Sequence, residues 1–240
     1  MKSTIIYIPL PNLFISLIPS AVVIFILLKW IGEIKNYVYA FIRMFGQLII
    51  LGYILTYIFN ANKFWIVILC LTIMSTMASW ISLRPLKEKR KNLIMYSYIP
   101  IIVSGSLILI LITQVVLDVK PWYSPKELIP LGGMIFSSSM NSISLACERF
   151  FSEIEKGIVI DKALKIAYKA SLIPITNMLF AVGIVSIPGV MTGQVLSGVS
   201  PLLAVRYQIV VLSMIFGAAG IASAMFLKII SSKKELFDGI

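Results

Sequence analysis

Histidine does not occur in this chain, and aspartate and glutamate together number only ten. The first absence removes imidazole metal ligands, histidine general bases and histidine proton relays. The phosphate-cradling pattern G-x-x-x-x-G-K-[ST] is missing as well, so the chain does not bind ATP by that route. Two cysteines, Cys70 and Cys147, fall inside apolar blocks; they make no disulfide framework and read as packing residues. Charge of either sign is scarce, at 13% of residues, where soluble domains carry about a quarter. So few charges cannot cover the water-facing surface of 240 residues.

Apolar residues fill the gap, at 59%, and they come in seven blocks at about 5–28, 41–59, 64–83, 93–117, 128–147, 171–198 and 207–230. Roughly 20 apolar residues span about 30 Å of hydrocarbon. A backbone in lipid must satisfy its own hydrogen bonds, so each block reads as helix. The expectation is an all-α, polytopic integral membrane protein with about seven transmembrane helices, a single transmembrane domain over residues 1–240. The first block has one lysine and no small-residue cleavage pattern, and reads as a retained span. The formal net charge of +11 then belongs to cytoplasmic loops rather than to a nucleic-acid site. The expected partner of the apolar surface is the lipid bilayer of the cytoplasmic membrane.

Lysine and arginine set the orientation. One set of loops holds Lys29, Lys35, Arg43, the cluster Arg84 to Lys91, Arg149 to Lys169, and Lys228 to Lys234, sixteen basic residues in all. The other holds five: Lys2, Lys63, Lys120, Lys126 and Arg206. The N-terminus is therefore expected outside and the C-terminus inside. Trp65, Trp122 and Tyr123 fall at predicted outer ends, where interfacial aromatics belong.

The longest inside segment, 148–170, reads ERFFSEIEKGIVIDKALKIAYKA. Phe151, Ile154, Ile158, Leu164 and Ala167 recur at nearly helical spacing, and Gly157 interrupts them, so two short helices meeting at a turn are expected. An interfacial helix lying on lipid is the ordinary reading of such a stretch. Glu148, Glu153, Glu155 and Asp161 favour a docking element for a cytoplasmic partner, because anionic headgroups would select basic residues.

No ionisable residue lies deep in any block. Intramembrane charges usually mark ion or proton pathways, so this argues against a proton- or sodium-coupled carrier and against intramembrane hydrolysis. The fifth block, LIPLGGMIFSSSMNSISLAC, is polar for a span. Gly133, Ser137 and Asn141 recur every four residues, as do Ser138 and Ser142, which places small residues on one face. Close helix packing is one reading; the wall of a hydrated path, with Ser137, Ser138 and Asn141 facing it, is the other. The sixth block contains SIPGVMTGQVLSG. Pro188 lacks an amide proton, and Gly189 and Gly193 loosen the turns after it. A kink or a broken helix is expected, with Thr192 and Gln194 beside it and residues 188–194 acting as a hinge along the path. Met134, Met140, Met178 and Met191 lie in these two blocks; gap-filling is their commoner role and soft-metal ligation the rarer one.

At these residues the chain resembles the permease subunit of FetAB-like ABC transporters, a family linked to iron export and metal resistance, with plant relatives linked to aluminium tolerance. The matching strings are RMFGQLIILGYILTYIF at 43–59, ELIPLGGMI at 127–135 and GIVSIPGVMTGQVLSGVSPLLAVRYQI at 183–209. The last matches the family's LVSLPGMM(T/S)G followed by an RYQ or KYQ element. The resemblance covers most of the chain and is weakest in the first span. It implies a permease that works as a homodimer on a dimer of a separate ATP-binding subunit. The chain itself would then carry no cofactor, ATP being used by the partner. It also implies that 148–170 is a cytoplasmic coupling loop, with Gly157 matching the glycine of the family's Leu-Gly-Ala-Thr core and Glu153, Glu155 and Asp161 around it. Where the family has an Asp and a Lys after Leu-Ile-Pro, this chain has Asn177 and Phe180, and the family's Gly-Asn in the fifth span is Ser137-Ser138 here. Joint loss of an acid and a base is the pattern of a lost ion pair, which neutral residues replace at little cost.

Two alternatives stay open on the residues alone. One is a carrier or channel that works without an ATPase; the other is a membrane enzyme or scaffold, against which the lack of histidine and of buried carboxylates argues.

Overall fold

The structure is a computed structural model that describes residues 8–32, 34–61, 63–86 and 90–233. Four of the basic residues that set the expected orientation, Lys2, Lys87, Lys89 and Lys234, lie outside these residues. The chain divides into two compact units, Met1–Ala61 and Asn62–Ile240. Among the described residues all regular structure is helical, as expected, and no strand occurs.

The first unit holds α1 (Leu10–Ile15), α2 (Ile18–Ile31) and α3 (Lys35–Ala61). α1 and α2 form one apolar stretch broken at Ser16–Leu17. Pro11 and Pro19 sit in the first turns of these helices, where a missing N–H costs nothing. α2 ends on Gly32 in the left-handed conformation, at φ 74°.

The second unit is a bundle of α4 (Phe64–Ser82), α5 (Arg90–Ile110), α6 (Pro125–Glu155), α7 (Ile160–Ala181), α8 (Gly189–Leu196) and α9 (Pro201–Ser231). α5 widens into a π-helical turn over Leu111–Val116. At one end of the bundle the Phe64 ring lies 4.3 Å from Trp65 and 6.3 Å from both Trp122 and Tyr123. The aromatics expected at an interface therefore gather at a single end. From this aromatic end α4, α6 and α9 run one way, and α5 and α7 return.

Six helical stretches among the described residues are long and apolar enough to cross a membrane: Leu10–Ile31, Lys35–Asn60, Phe64–Ser82, Arg90–Val116, Pro125–Glu155 and Pro201–Ser231. The seventh expected span, 171–198, is not one helix. Its first half belongs to α7, which begins eleven residues earlier at Ile160 and brings Asp161, Lys162, Lys165 and Lys169 into the same helix. Its second half is the separate α8.

The segment 148–170 is likewise not a pair of short surface helices. α6 and α7 continue straight through it and meet in a tight turn, where Gly157 takes φ 77°, a conformation costly for any residue with a Cβ. The apolar stripe at Phe151, Ile154, Ile158, Leu164 and Ala167 packs into the core of this hairpin instead of facing lipid or a partner.

Small residues let the helices approach closely, as membrane bundles require. A Cβ on Gly105 of α5 would sit 2.7 Å from the ring of Phe136 on α6. Serines tie α4 to α5: the hydroxyls of Ser79 and Ser97 lie 2.5 Å apart, and Ser79 also donates to the carbonyl of Ile94 at 3.1 Å. Arg90 caps the same junction by donating to the carbonyl of Trp80 at 2.7 Å while its guanidinium lies 3.8 Å over the indole.

Candidate functional site

α6 runs through the bundle and touches both α7 and α9, so its serine run meets two other helices at mid-depth. A cavity of about 340 Å³ lies there, lined by Ser137, Ser138, Asn141 and Ser142 of α6, Ser171, Pro174 and Met178 of α7, and Ile215 of α9. It starts about 14 Å along α6 from the aromatic end, at 1.5 Å per residue. Ser138 donates to the carbonyl of Ile215 at 3.0 Å, Ser139 to that of Ala218 at 3.3 Å, and Ser142 to that of Ser171 at 3.4 Å. The serine run thus fastens helices, and Ser138 and Ser142 do so while also lining the cavity. Ser137 returns its proton to the Met134 carbonyl at 3.1 Å. Asn141 is exposed and has no hydrogen-bond partner among the described residues.

Pro174 lies inside α7 and frees a backbone carbonyl one turn earlier without ending the helix. Met134 and Met178 bring two thioethers to the cavity wall, whereas Met140 does not line it. No cluster of histidine, cysteine, aspartate or glutamate able to hold a metal ion occurs among the described residues. Asn177 and Phe180, on α7, are exposed and lie outside this cavity.

The expected break in the sixth block is real, but it precedes the expected hinge. α7 stops at Ala181; the chain then turns through Val182–Ile187, with Gly183 at φ 80° and its N–H bonded to the Ser186 carbonyl at 3.0 Å. Pro188 is the N-cap of α8, and Gly189, Thr192, Gly193 and Gln194 lie inside that regular helix. A Cβ on Gly189 or Gly193 would meet nothing within 4 Å. Thr192 turns its hydroxyl back to the Pro188 carbonyl at 3.1 Å. Gln194 buries its side-chain oxygen without a partner. Pro188 contributes to a second cavity, against α9, that also holds Gln208.

At the far end of the bundle, Glu153 is buried, with its carboxylate 3.0 Å from Arg149 and 3.3 Å from Lys156. It is a structural centre of the hairpin. Glu155, Gly157 and Asp161 are exposed around the turn. Sequence reasoning passed over Ser171 and Gln208. Gln208 closes the RYQ element of the matched string at 183–209 and is the lone carboxamide of its block.

These features define a class: a polytopic helical membrane protein whose polar groups converge on a cleft between three helices and on a broken segment beside one of them. The chain belongs to the family described as "Uncharacterised protein family (UPF0014)", which matches residues 12–236. It is 37% identical over 188 residues to the UPF0014 membrane protein slr1647 of Synechocystis sp., covering 72% of this chain and 73% of that protein. It is similar to the protein ALUMINUM SENSITIVE 3 of Arabidopsis thaliana, at 30% identity over 78% of this chain and 72% of the relative. It is also similar to the "Probable iron export permease protein FetB" of Escherichia coli, at 29% identity over 79% and 77% respectively. No solved structure matches.

Proposed function

We propose that this protein is the membrane permease subunit of an ABC transporter, an exporter of iron or another metal driven by a separate ATP-binding subunit. The observation that carries the reading is the position of Asn141. Its carboxamide stands exposed and unpartnered at mid-depth of a membrane bundle, beside a cavity of about 340 Å³. Polar groups are costly against lipid, so this face is best explained by water, cargo or a second copy of the chain. A homodimer with the clefts turned inward satisfies all three.

Several further features support the reading. Relatives named for iron export and for aluminium sensitivity agree with metal cargo. The chain lacks its own P-loop, and the Gly157 turn exposes Glu155 and Asp161 at one tip, a suitable face for a cytoplasmic ATPase. In this reading the aromatic end is outside, the Gly157 turn and the C-terminus are inside, and the α6–α7 hairpin replaces a loop as the coupling element of a single permease domain. ATP turnover in the partner would shift the bundle between inward- and outward-open states.

The test is co-expression with an ATP-binding subunit encoded beside this chain. Affinity purification of one should recover the other, and cells should retain less radiolabelled iron than cells given either alone. Efflux without any ATP-binding subunit would replace this reading with a carrier or channel.

A further inference from the structure

The first turns of α7 carry their basic charge on one face. Lys162, Lys165 and Lys169 are exposed and recur at three- and four-residue spacing. Among the described residues none of them is in an ion pair. Asp161 is the only acid of α7, and α9, which packs beside it, has none.

α9 adds a fourth ammonium group. A Cβ on Gly220 would lie 3.6 Å from the Tyr168 hydroxyl and 3.9 Å from Leu172, so these residues mark where the two helices meet. Lys228, exposed and likewise without an ion pair among the described residues, lies two turns further along α9, about 12 Å at 1.5 Å per residue. The helices are antiparallel, which brings Lys228 level with the first turns of α7. At about 100° per residue, the three lysines of α7 stand roughly 60–120° round the axis from Tyr168, and Lys228 about 80° round from Gly220. For antiparallel helices, rotations of the same sense lead to the same side of the pair. The four lysines therefore border one groove.

Further along, the groove turns apolar. Ile173 and Ile221 are 52% and 49% exposed on the same side. Nearer the aromatic end, Leu179 of α7 and Ile209, Leu212, Phe216 and Gly217 of α9 line a cavity of about 360 Å³. Leu179 is about 15 Å along α7 from Lys169, half the thickness of a hydrocarbon core.

We propose that this groove binds an anionic phospholipid of the leaflet at the Gly157 end. The lysines take the phosphate, and the apolar walls between α7 and α9 take an acyl chain. Lysine recognises phosphate as a point charge, and basic pockets between transmembrane helices suit such headgroups. A soluble anion would match the lysines alone and leave the apolar length of the groove without a role. Lipid retention is measured without transport, so this site and the permease reading do not depend on each other.

The test uses the full chain, delipidated in detergent, with native mass spectrometry counting bound lipid. Dioleoylphosphatidylglycerol should bind at least about tenfold more tightly than dioleoylphosphatidylcholine. Glycerophosphoglycerol, the same headgroup without acyl chains, should not compete at equal concentration. Lys165→Gln with Lys169→Gln should abolish the preference, and Lys165→Arg with Lys169→Arg should keep it. Lys228→Gln alone should weaken it about fivefold, which decides the matter if the double variant fails to accumulate. Lys120→Gln with Lys126→Gln removes as much charge from the aromatic end and should change nothing. Equal binding of the two lipids, competition by the free headgroup, or an equal loss in that control would overturn the proposal. So would a double glutamine variant that keeps its lipid but loses the ATP-binding subunit, because the lysines would then serve a protein surface.

Discussion

Ser138 of α6 donates its hydroxyl to the carbonyl of Ile215 on α9 at 3.0 Å, across 77 residues of sequence. That bond fixes the cavity wall, and Asn141 stands one turn further along the same helix. The two residues should therefore separate under mutation. Ser138→Ala loses one interhelical hydrogen bond, worth about 0.6 kcal/mol in a membrane bundle, and should leave transport nearly intact. Asn141→Leu removes the carboxamide and fills the cleft, and should lower metal efflux at least about tenfold, a loss of about 1.4 kcal/mol in transition-state stabilisation. Efflux normalised to protein level is the measurement; equal behaviour of the two variants would detach the cavity from function.

Packing at the glycines predicts stability. An alanine methyl at Gly105 would press on the Phe136 ring at 2.7 Å, and overpacking of this kind costs about 1–3 kcal/mol. At Gly193 the same methyl meets nothing within 4 Å, and alanine is the better helix former by roughly 1 kcal/mol. In detergent, Gly105→Ala should unfold at a lower temperature than the parent protein and Gly193→Ala at the same or a higher one. The reverse order would contradict the close packing of α5 on α6.

The acids near the Gly157 turn should also divide. Glu153 is buried between Arg149 and Lys156, so Glu153→Lys removes a partner and sets three cations together. Both cations are about half exposed, so the lost pairs are worth at most about 1 kcal/mol; the larger cost is a lysine ammonium placed without a partner at a buried position, and the variant should fail to accumulate. Glu155→Lys changes an exposed charge and should leave protein levels unchanged while weakening co-purification of the ATP-binding subunit. Full co-purification by Glu155→Lys would move the docking face elsewhere.

Charge asymmetry predicts sidedness. Cysteines placed at Lys120, beside the aromatic cluster, and at Lys162, just past the Gly157 turn, should react with an impermeant maleimide from opposite faces of the membrane, Lys120→Cys from outside. Reaction of both from one face would reverse or break the topology.

Much of the fold was legible in the sequence because hydrocarbon is an unforgiving solvent. It requires helices wherever apolar residues run for twenty positions, and six stretches obey. Ser137, Ser138 and Asn141 could be named because four-residue spacing puts them on one face of any helix. The break before α8 could be read from Pro188. Tertiary structure decided what spacing cannot express. Whether 148–170 lies on lipid or extends two helices of the bundle depends on whether Phe151 and Ala167 are covered, and both are buried in the core. Glu153 looked like a docking charge until its burial beside Arg149 and Lys156 made it a strut. Gly193 was expected to loosen the turns after Pro188, but it lies inside the regular helix α8. Gln208 became a candidate only when folding buried its oxygen without a partner, since whether a polar group is satisfied depends on atoms distant in the chain.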